Sequence, residues 1–255
     1  RLGIPQEDSY GRTHPLSGER ISVLQDKYSA DPAWDAPLNP KWESDFKRIK
    51  AKLTGYLSDP TATMRDYPEN DQSVPARYAR AYAWHKSAYP QKALDESSAL
   101  VASAPDDPYF LELHGQILLE SGRPADAIIP LRKAVSLTGS QPLISAILGH
   151  ALIATEDKTK LDEAAQVLKA AVTKDNQNPF AWYQLGVVYE QKGDSARAAL
   201  ASAERYLMEG APQLALPNAQ TAMAGLPEYS PDWIRAQDIN MVAEAKLAQL
   251  KKRKR

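Results

Sequence analysis

Cysteine is absent from the 255 residues of this chain. Disulfide scaffolds, thiol catalysis and cysteine-ligated zinc are therefore excluded. The chain also has no excess of one charge, because 31 Lys and Arg residues balance 32 Asp and Glu residues and leave a formal net charge of −1. This balance argues against a dedicated nucleic-acid binder, whose affinity depends on clustered cations. No apolar run approaches the roughly 18 residues of a membrane span.

Recognisable catalytic motifs are also missing. The four histidines, His14, His85, His114 and His150, include no pair at the H-E-x-x-H spacing of helical zinc proteases. The sequence contains no Gly-rich phosphate loop and no dinucleotide fingerprint. Its carboxylates are scattered, as is typical of a solvated surface. We therefore predict that the chain by itself is inactive, with no catalytic residue and no cofactor of its own.

A repeat of about 34 residues organises the middle of the chain. Residues 182–189 (WYQLGVVY) match the first-helix signature of the tetratricopeptide repeat. Gly115, Gly149 and Gly186 have similar surroundings, at separations of 34 and 37 residues. The three surplus residues fall in the polar stretch 155–160, an inter-helix turn that tolerates insertion.

Prolines and small residues mark the two helices of each repeat. Proline suits the first turn of a helix, and four of them recur with the repeat, at Pro75, Pro108, Pro142 and Pro179. Small residues let paired helices approach closely, and they open the second helices at Ala93, Ala127, Ala164 and Ala198. Hairpins of this kind stack because one alone cannot bury its apolar face. We predict four repeats over residues 74–210, then degenerate helices, the last of which begins near Ser230 and caps the array.

The region before the repeats has a different pattern. Trp42, Phe46, Ile49, Leu53 and Leu57 lie on one helical face after Asn39 and Pro40. A shorter apolar stripe follows Ser17, and a proline-rich connector, which Trp34 can anchor, separates the two helices. We therefore predict an all-α fold in which a helical connector region, residues 1–73, precedes a tetratricopeptide-repeat superhelix with capping helices, residues 74–255.

The inner curve of such an array is the candidate binding surface. Aromatic faces with a few hydrogen-bonding groups suit an extended or helical polypeptide laid into a groove. Eight inward-facing positions are predicted to bind: Tyr78, Tyr82, His85, Glu112, Gln116, His150, Tyr183 and Glu190. Tyr109 and Phe180 also point inward but are equally compatible with packing between repeats. For His85 and His150, ligand contact and plain exposure stay open, whereas His114 is predicted to be a hydrogen-bonded packing residue.

The chain ends in five cations, residues 251–255. At a helix C-terminus these residues complement the helix dipole and solubilise the end. We prefer this interpretation to binding of anionic lipid or nucleic acid.

Several segments together resemble the BepA-like (YfgC-type) periplasmic zinc metalloproteases, which join a protease domain to C-terminal tetratricopeptide repeats. The segments run nearly from end to end of the chain: residues 13–16 (THPL) with 20–21, 50–53 (KAKL), 75–81 (PARYARA), 112–122 and 233–239 (WIRAQDI). The resemblance implies that this chain is the part of such a protease downstream of its zinc site. The lack of an initial methionine agrees with a fragment or processed product.

The resemblance also implies a function. The family's H-E-x-x-H pair and later Glu ligand have no counterparts here, so zinc would belong to the parent protein alone. His14 matches the family's His-Pro motif, in which the imidazole looks able to occupy the open zinc position and hold the protease shut. From the residues alone, a turn before a helix is the better explanation of His14; with the resemblance added, the two interpretations are equally supported.

We expect a substrate- and partner-docking module of an envelope protease that acts in outer-membrane protein quality control. Its clients would be outer-membrane β-barrel proteins and their assembly machinery, in the periplasm. The alternative is a free-standing tetratricopeptide-repeat adaptor that binds peptides in a multiprotein complex.

Overall fold

The computed structural model describes residues 17–253 and the side chains of residues 18–252. This part of the chain forms thirteen α-helices and one short 3-10 helix, with no strand, which confirms the predicted all-α class. None of the helices in the described range has the length and apolarity needed to cross a membrane. The chain divides into two compact units, Arg1–Ile49 and Lys50–Arg255. The domain boundary expected after residue 73 stays a prediction.

The first unit contains helix α1 (Ser17–Tyr28) and most of helix α2 (Pro40–Leu57), which continues into the second unit. Asn39 begins α2 by accepting the Lys41 N–H on its side-chain oxygen at 2.9 Å. Both helices form where the apolar stripes predict them. The stripes face solvent, however, since Trp42 is 72% exposed and Phe46 is 65% exposed. Trp34 in the connector is also exposed.

The second unit is a stack of helical hairpins, and the four predicted repeats are its centre. A short helix, α3 (Pro60–Asp66), precedes them. The repeats consist of α4 (Val74–Lys86) with α5 (Pro90–Ser103), α6 (Pro108–Glu120) with α7 (Pro124–Leu137), α8 (Pro142–Ala154) with α9 (Leu161–Lys174), and α10 (Pro179–Gln191) with α11 (Ser195–Met208). Two more helices follow, α12 (Pro212–Gly225) and α13 (Pro231–Arg253).

The first helices begin with a polar cap followed by proline, as predicted. The Asp107 carboxylate accepts the backbone N–H groups of Tyr109 and Phe110 at 3.0 and 3.2 Å. The Asn178 side chain accepts the Ala181 N–H at 3.1 Å. Such side-chain acceptors satisfy backbone donors that have no partner within the helix. The same geometry at successive repeats keeps the first helices in one register.

Small residues bring the two helices of each repeat together. Gly115 packs against Leu131 and Gly149 packs against Leu168, so closely that an added Cβ would lie under 3.0 Å from the leucine side chain. Gly186 meets Ala201 and Ala198 at ordinary contact distance. These contacts confirm why small residues recur at these positions.

The turn inside every repeat contains one residue in the left-handed backbone region. Two of them are glycine, Gly122 and Gly193, both with φ of 76°. The other two are Ala88 at φ 58° and Glu156 at φ 57°. The polar stretch 155–160, where the insertion in the third repeat is predicted, includes Glu156 and the 3-10 helix Lys158–Lys160.

The C-terminal helices complete the stack. Helix α12 packs against α11 and α13, and α13 also contacts α11. A bidentate ion pair joins the buried Glu204 carboxylate of α11 to the Arg235 guanidinium of α13. Lys251 and Lys252 lie in the last turn of α13, as their predicted role at a helix C-terminus requires; the final two residues lie outside the described range.

Candidate functional site

A groove of about 330 Å³ lies along the first helices of the second unit. Helix α8 contacts both α6 and α10, so the first helices adjoin one another along one face. We call this site the first-helix groove. It is lined by Lys52, Leu53 and Tyr56 of α2, Tyr82 of α4, Glu112 and Gln116 of α6, Leu143, Ala146 and Ile147 of α8, and Asn178 and Phe180 at the start of α10.

The apolar part of the groove is open to solvent. Leu143 is 57% exposed and Phe180 is 41% exposed, although both belong to helices whose other faces form the core. Ala146 and Ile147 lie beside them in the lining. Glu112, Gln116 and Asn178 add a carboxylate and two amides to the same surface. The groove therefore combines an apolar floor with a small number of hydrogen-bonding groups.

The C-terminal half of α2 closes one end of the groove. The Lys52 ammonium lies 3.2 Å from the Glu112 carboxylate. It also lies 5.6 Å from the centre of the Tyr109 ring, a cation–π distance. Tyr56 contacts the ring of Tyr82 edge to face, with centroids 5.9 Å apart. These contacts show that a segment of the protein itself covers the first repeat.

The close approach of α2 depends on Gly55. An added Cβ there would lie 2.7 Å from the backbone oxygen of Ala79 in α4. The Lys86 ammonium of α4 holds the end of α2 by donating to the carbonyl oxygens of Tyr56 and Ser58 at 3.0 and 2.6 Å. The C-terminal half of α2 is thus a packed element of the second unit.

Helix α2 covers the face of α4 that carries two of the predicted binding residues, Tyr78 and Tyr82. Tyr78 is 1% exposed and Tyr82 is 6% exposed, so both rings are buried. Tyr78 also contacts Phe110 edge to face, with centroids 5.4 Å apart. The inward-facing pattern of the sequence could not show that α2 covers this face of α4. Their role in binding stays a prediction.

A polar cluster joins the C-terminal ends of α4 and α6. His85 Nε2 lies 2.6 Å from the Glu120 carboxylate, and Gln116 donates to the same carboxylate at 2.8 Å. The hydrogen bond from His85 holds the pKa of Glu120 below its ordinary value, with help from Gln116 and against the effect of burial. Glu120 was not among the predicted residues. Its position four residues after Gln116 on one helix was the signal available in the sequence.

His150 of α8 lies next to an aromatic ring. Its imidazole contacts Phe180 edge to face, with centroids 5.6 Å apart. Burial lowers the pKa of His150, although the Glu120 carboxylate acts in the opposite direction. A half-buried imidazole of this kind is neutral at pH 7, so it can accept or donate one hydrogen bond at each ring nitrogen.

The remaining predicted residues lie outside the lining of the groove. Tyr183 is exposed, and the Arg205 guanidinium of α11 lies 5.0 Å from its ring centre. Glu190 is exposed near the end of α10. The packing histidine is confirmed, because His114 Nδ1 lies 2.9 Å from the Ser97 hydroxyl and burial lowers the pKa of His114.

A zinc site has no candidate within the described residues. No three His, Asp or Glu side chains of this part of the chain lie close enough together to hold a metal ion. His14, the one residue assigned a possible metal role, lies outside the described residues. The zinc that the resemblance assigns to the parent protein alone stays a prediction, and no chemical step is derived through it.

Comparison with known proteins identifies the fold. Residues 90–142 match the family described as Tetratricopeptide repeat, and residues 157–193 match the family described as TPR repeat. The solved structure "YrrB: a TPR protein with an unusual peptide-binding site" is 19% identical, with a TM-score of 0.53 over 78% of this chain and 97% of that one. MamA 41-end from Desulfovibrio magneticus RS-1 is 16% identical, with a TM-score of 0.53 over 69% of this chain and 98% of that one. No curated protein matches the sequence.

These matches, together with the stacked hairpins, show that the second unit has the tetratricopeptide-repeat fold. Stacked helical repeats of this class serve as protein-interaction scaffolds, because the stack presents an extended binding surface. The chain therefore carries a tetratricopeptide-repeat interaction module.

Proposed function

We propose that the first-helix groove binds a segment of a partner or substrate polypeptide. The observation that carries this proposal is the exposure of Leu143 and Phe180 in a groove that Glu112, Gln116 and Asn178 also line. Apolar side chains of the ligand would displace water from the floor. Its backbone N–H groups would then donate to the Glu112 carboxylate and the Gln116 amide oxygen, whereas the Asn178 oxygen already accepts the Ala181 N–H.

The size of the groove limits the ligand. A volume of about 330 Å³ is at the lower end of the roughly 300–1,000 Å³ of ligand pockets, which accommodates a few side chains of a chain segment. The covered end near Lys52 sets one limit of the segment, because that ammonium already pairs with Glu112. We infer that the ligand lies across α6, α8 and α10.

The experiment measures binding of a labelled probe to the full chain. The probe is an outer-membrane β-barrel protein kept unfolded in urea and diluted into buffer, followed by fluorescence anisotropy. Leu143→Glu combined with Phe180→Glu should weaken binding about tenfold or more, since a charge would replace the apolar floor. The matched control is Ile129→Glu, an equally drastic change at an exposed position of α7 outside the groove.

Equal weakening by the control and groove variants, or no effect of the groove variants in a folded protein, would contradict the proposal. A second probe, reduced and carboxymethylated α-lactalbumin, tests whether the groove prefers outer-membrane proteins to other unfolded polypeptides. If both probes bind equally well and both depend on Leu143 and Phe180, the groove is a general polypeptide site and the assignment of outer-membrane clients is wrong.

We propose further that the module belongs to a BepA-like zinc metalloprotease of the periplasm, in which it docks outer-membrane β-barrel proteins and their assembly machinery. The support is the set of segments that resemble that family. The reading frame upstream of Arg1 should then encode a signal peptide and an H-E-x-x-H motif. A frame without them would favour the free-standing adaptor.

Two activity measurements test the protease proposal. The purified chain should not cleave casein, and cleavage abolished by a chelator would contradict a zinc site confined to the parent protein. In the parent protein, His14→Ala should raise basal proteolysis or loosen zinc retention if the imidazole blocks the metal. No change in either property would overturn the gating role of His14.

A further inference from the structure

Arg205 departs from the pattern of the second helices. It stands seven residues after Ala198, the small residue near the start of α11. The equivalent positions of the other three repeats carry apolar side chains that are fully buried: Leu100, Ala134 and Ala171. Arg205 is only half-buried. Packing between repeats therefore does not explain why an arginine occupies this position.

The guanidinium of Arg205 lies against two aromatic rings. Its central carbon is 5.0 Å from the ring centre of Tyr183 in α10 and 4.3 Å from the ring centre of Tyr206 in α11. Both are cation–π distances. Contact with the faces of aromatic rings restrains a guanidinium without using any of its N–H groups. The two tyrosines therefore hold the cation in place and leave its hydrogen-bond donors available.

No other residue in the described part of the chain accepts a hydrogen bond from Arg205. Its Nε is buried and has no hydrogen-bond partner there. The exposed Glu209 carboxylate lies 4.0 Å from Nε, which is too far for a hydrogen bond. By contrast, Arg132 and Arg235 each donate two hydrogen bonds to a carboxylate. Arg205 is thus a positioned cation whose terminal nitrogens can pair with a carboxylate of another molecule.

Tyr183 places this cation beside the first-helix groove. Tyr183 occupies the same position in its helix as two residues that line the groove, Glu112 of α6 and Ala146 of α8, each four residues after the proline of the first turn. It also follows Phe180, another lining residue, by about one turn of α10. Arg205 therefore lies next to the end of the groove at α10, away from the end that α2 closes.

We propose that Arg205 binds a carboxylate of the polypeptide in the first-helix groove, through the N–H groups of its two terminal nitrogens. The carboxylate belongs to an Asp or Glu side chain of the ligand or to its C-terminus, since both have the planar shape that a guanidinium pairs with. The exposed Glu209 competes only weakly, because exposed ion pairs contribute little. This proposal rests on the proposed function of the groove and adds the charge that the ligand carries near α10.

The experiment uses the full chain and the labelled, unfolded β-barrel protein in three forms. The first form is untreated, the second has only its C-terminal carboxylate converted to an amide, and the third has all its carboxylates converted to amides. Arg205→Gln should weaken binding of the untreated probe about tenfold, because the paired cation is lost, and should not change binding of the fully amidated probe. Sensitivity that disappears in the second form assigns the carboxylate to the C-terminus. Sensitivity that persists there assigns it to an Asp or Glu side chain.

Arg132→Gln is the matched control. It removes the same charge from α7, where the guanidinium already pairs with Glu163, and it should leave binding of all three forms unchanged. Arg205→Lys keeps the charge but not the planar guanidinium, so it should weaken binding of the untreated probe severalfold. Circular dichroism checks that all of these variants keep the helix content of the wild type.

Equal weakening of all three probe forms by Arg205→Gln would show that the arginine supports the structure and does not bind a carboxylate. That result would overturn the proposal. An unchanged affinity for the untreated probe would overturn it as well, and so would an equal effect of Arg132→Gln.

Failure of this proposal is distinguishable from failure of the groove. Leu143→Glu with Phe180→Glu should weaken binding of all three probe forms, because apolar contacts hold each of them. If that double variant acts as expected and Arg205→Gln does not, only the carboxylate site is wrong. If the double variant has no effect, the groove is wrong and the carboxylate site with it.

Discussion

His85 on α4 and Glu120 on α6 are joined by a hydrogen bond of 2.6 Å between the imidazole Nε2 and the carboxylate. The bond links the first helices of two successive repeats at the same end. It also makes the contact sensitive to pH, because it is the main cause of the lowered pKa of Glu120. The pair is one of the few polar links between first helices that the structure describes outside the cover formed by α2.

The lowered pKa of Glu120 predicts a stability loss in acid. A carboxyl whose pKa is lower in the folded than in the unfolded state stabilises the fold above its unfolded pKa. That contribution is lost as the pH falls through the folded pKa. Going from about pH 7 to about pH 4, wild type should therefore lose more stability than Glu120→Gln. The difference should be below about 1 kcal/mol, since solvent screens the pair.

Urea unfolding at the two pH values measures this difference. Glu190→Gln on α10 is the control, because Glu190 is an exposed carboxylate at the corresponding end of a first helix. Glu190→Gln should lose as much stability as the wild type between the two pH values. If Glu120→Gln also loses as much stability as the wild type in acid, the hydrogen bond does not contribute to folding.

The repeat glycines predict opposite effects of the same substitution. Gly115→Ala and Gly149→Ala should each lower the free energy of unfolding by about 1–3 kcal/mol, because the new methyl group collides with Leu131 or Leu168. At Gly186 the added methyl group fits without a collision, so Gly186→Ala should raise the free energy of unfolding by up to about 1 kcal/mol through the higher helix propensity of alanine. Chemical denaturation measures the free energy of unfolding of the three variants. If all three change it in the same direction, close helix packing is not the reason for glycine at positions 115 and 149.

The left-handed turn residues predict a gain from added glycine. Ala88→Gly and Glu156→Gly should each raise the free energy of unfolding by up to about 1 kcal/mol, because glycine adopts a positive φ without steric cost. The control is Ala102→Gly at an exposed position inside α5, which should lower stability by a similar amount. Thermal unfolding measures all three, and a loss at Ala88 and Glu156 would mean that the turns are not strained.

The burial of Arg80 predicts that removing its side chain greatly lowers the free energy of unfolding. Arg80 is fully buried, bonds to Glu96 at 2.6 Å and donates to the backbone oxygens of Pro68 and Asp71. Arg80→Ala should cost about 3–5 kcal/mol, because it leaves a cavity and removes the buried donor to both carbonyl groups, although Glu96 keeps its pair with Arg77 at 3.0 Å. Arg65→Ala, at an exposed arginine of α3, should cost under about 0.5 kcal/mol. Equal costs in urea unfolding would show that Arg80 does not hold residues 68–71.

Much of the fold could be predicted because its determinants are local and periodic. Gly115 and Gly149 mark the helix crossings, and Pro108 and Pro142 mark the helix starts, at a spacing that tetratricopeptide repeats share. The cover formed by α2 could not be predicted in this way. The Lys52–Glu112 pair joins residues 60 positions apart and follows no repeat. Tyr78 and Tyr82 therefore looked available for binding, although another element of the chain buries them.

The groove itself was predicted only in outline. Glu112 and Gln116 of α6 both line the groove, because helical periodicity fixes which residues share a face, whereas His150 of α8 does not line it. Their role in binding stays a prediction. Leu143 was missed, since an apolar residue in a repeat helix is typical of packing and nothing local shows that it is exposed. Exposure depends on how far neighbouring helices extend, which is a property of the packed stack.

Photo-crosslinking from inside the groove tests the central claim most directly. A photoreactive amino acid replaces Leu143 in one sample and Ile129 in another, and each protein is irradiated with an unfolded outer-membrane β-barrel protein. Crosslinks should form from position 143 and be suppressed by excess unlabelled probe, with little product from position 129. Equal crosslinking from both positions, or none from position 143, would contradict a polypeptide-binding role for the first-helix groove.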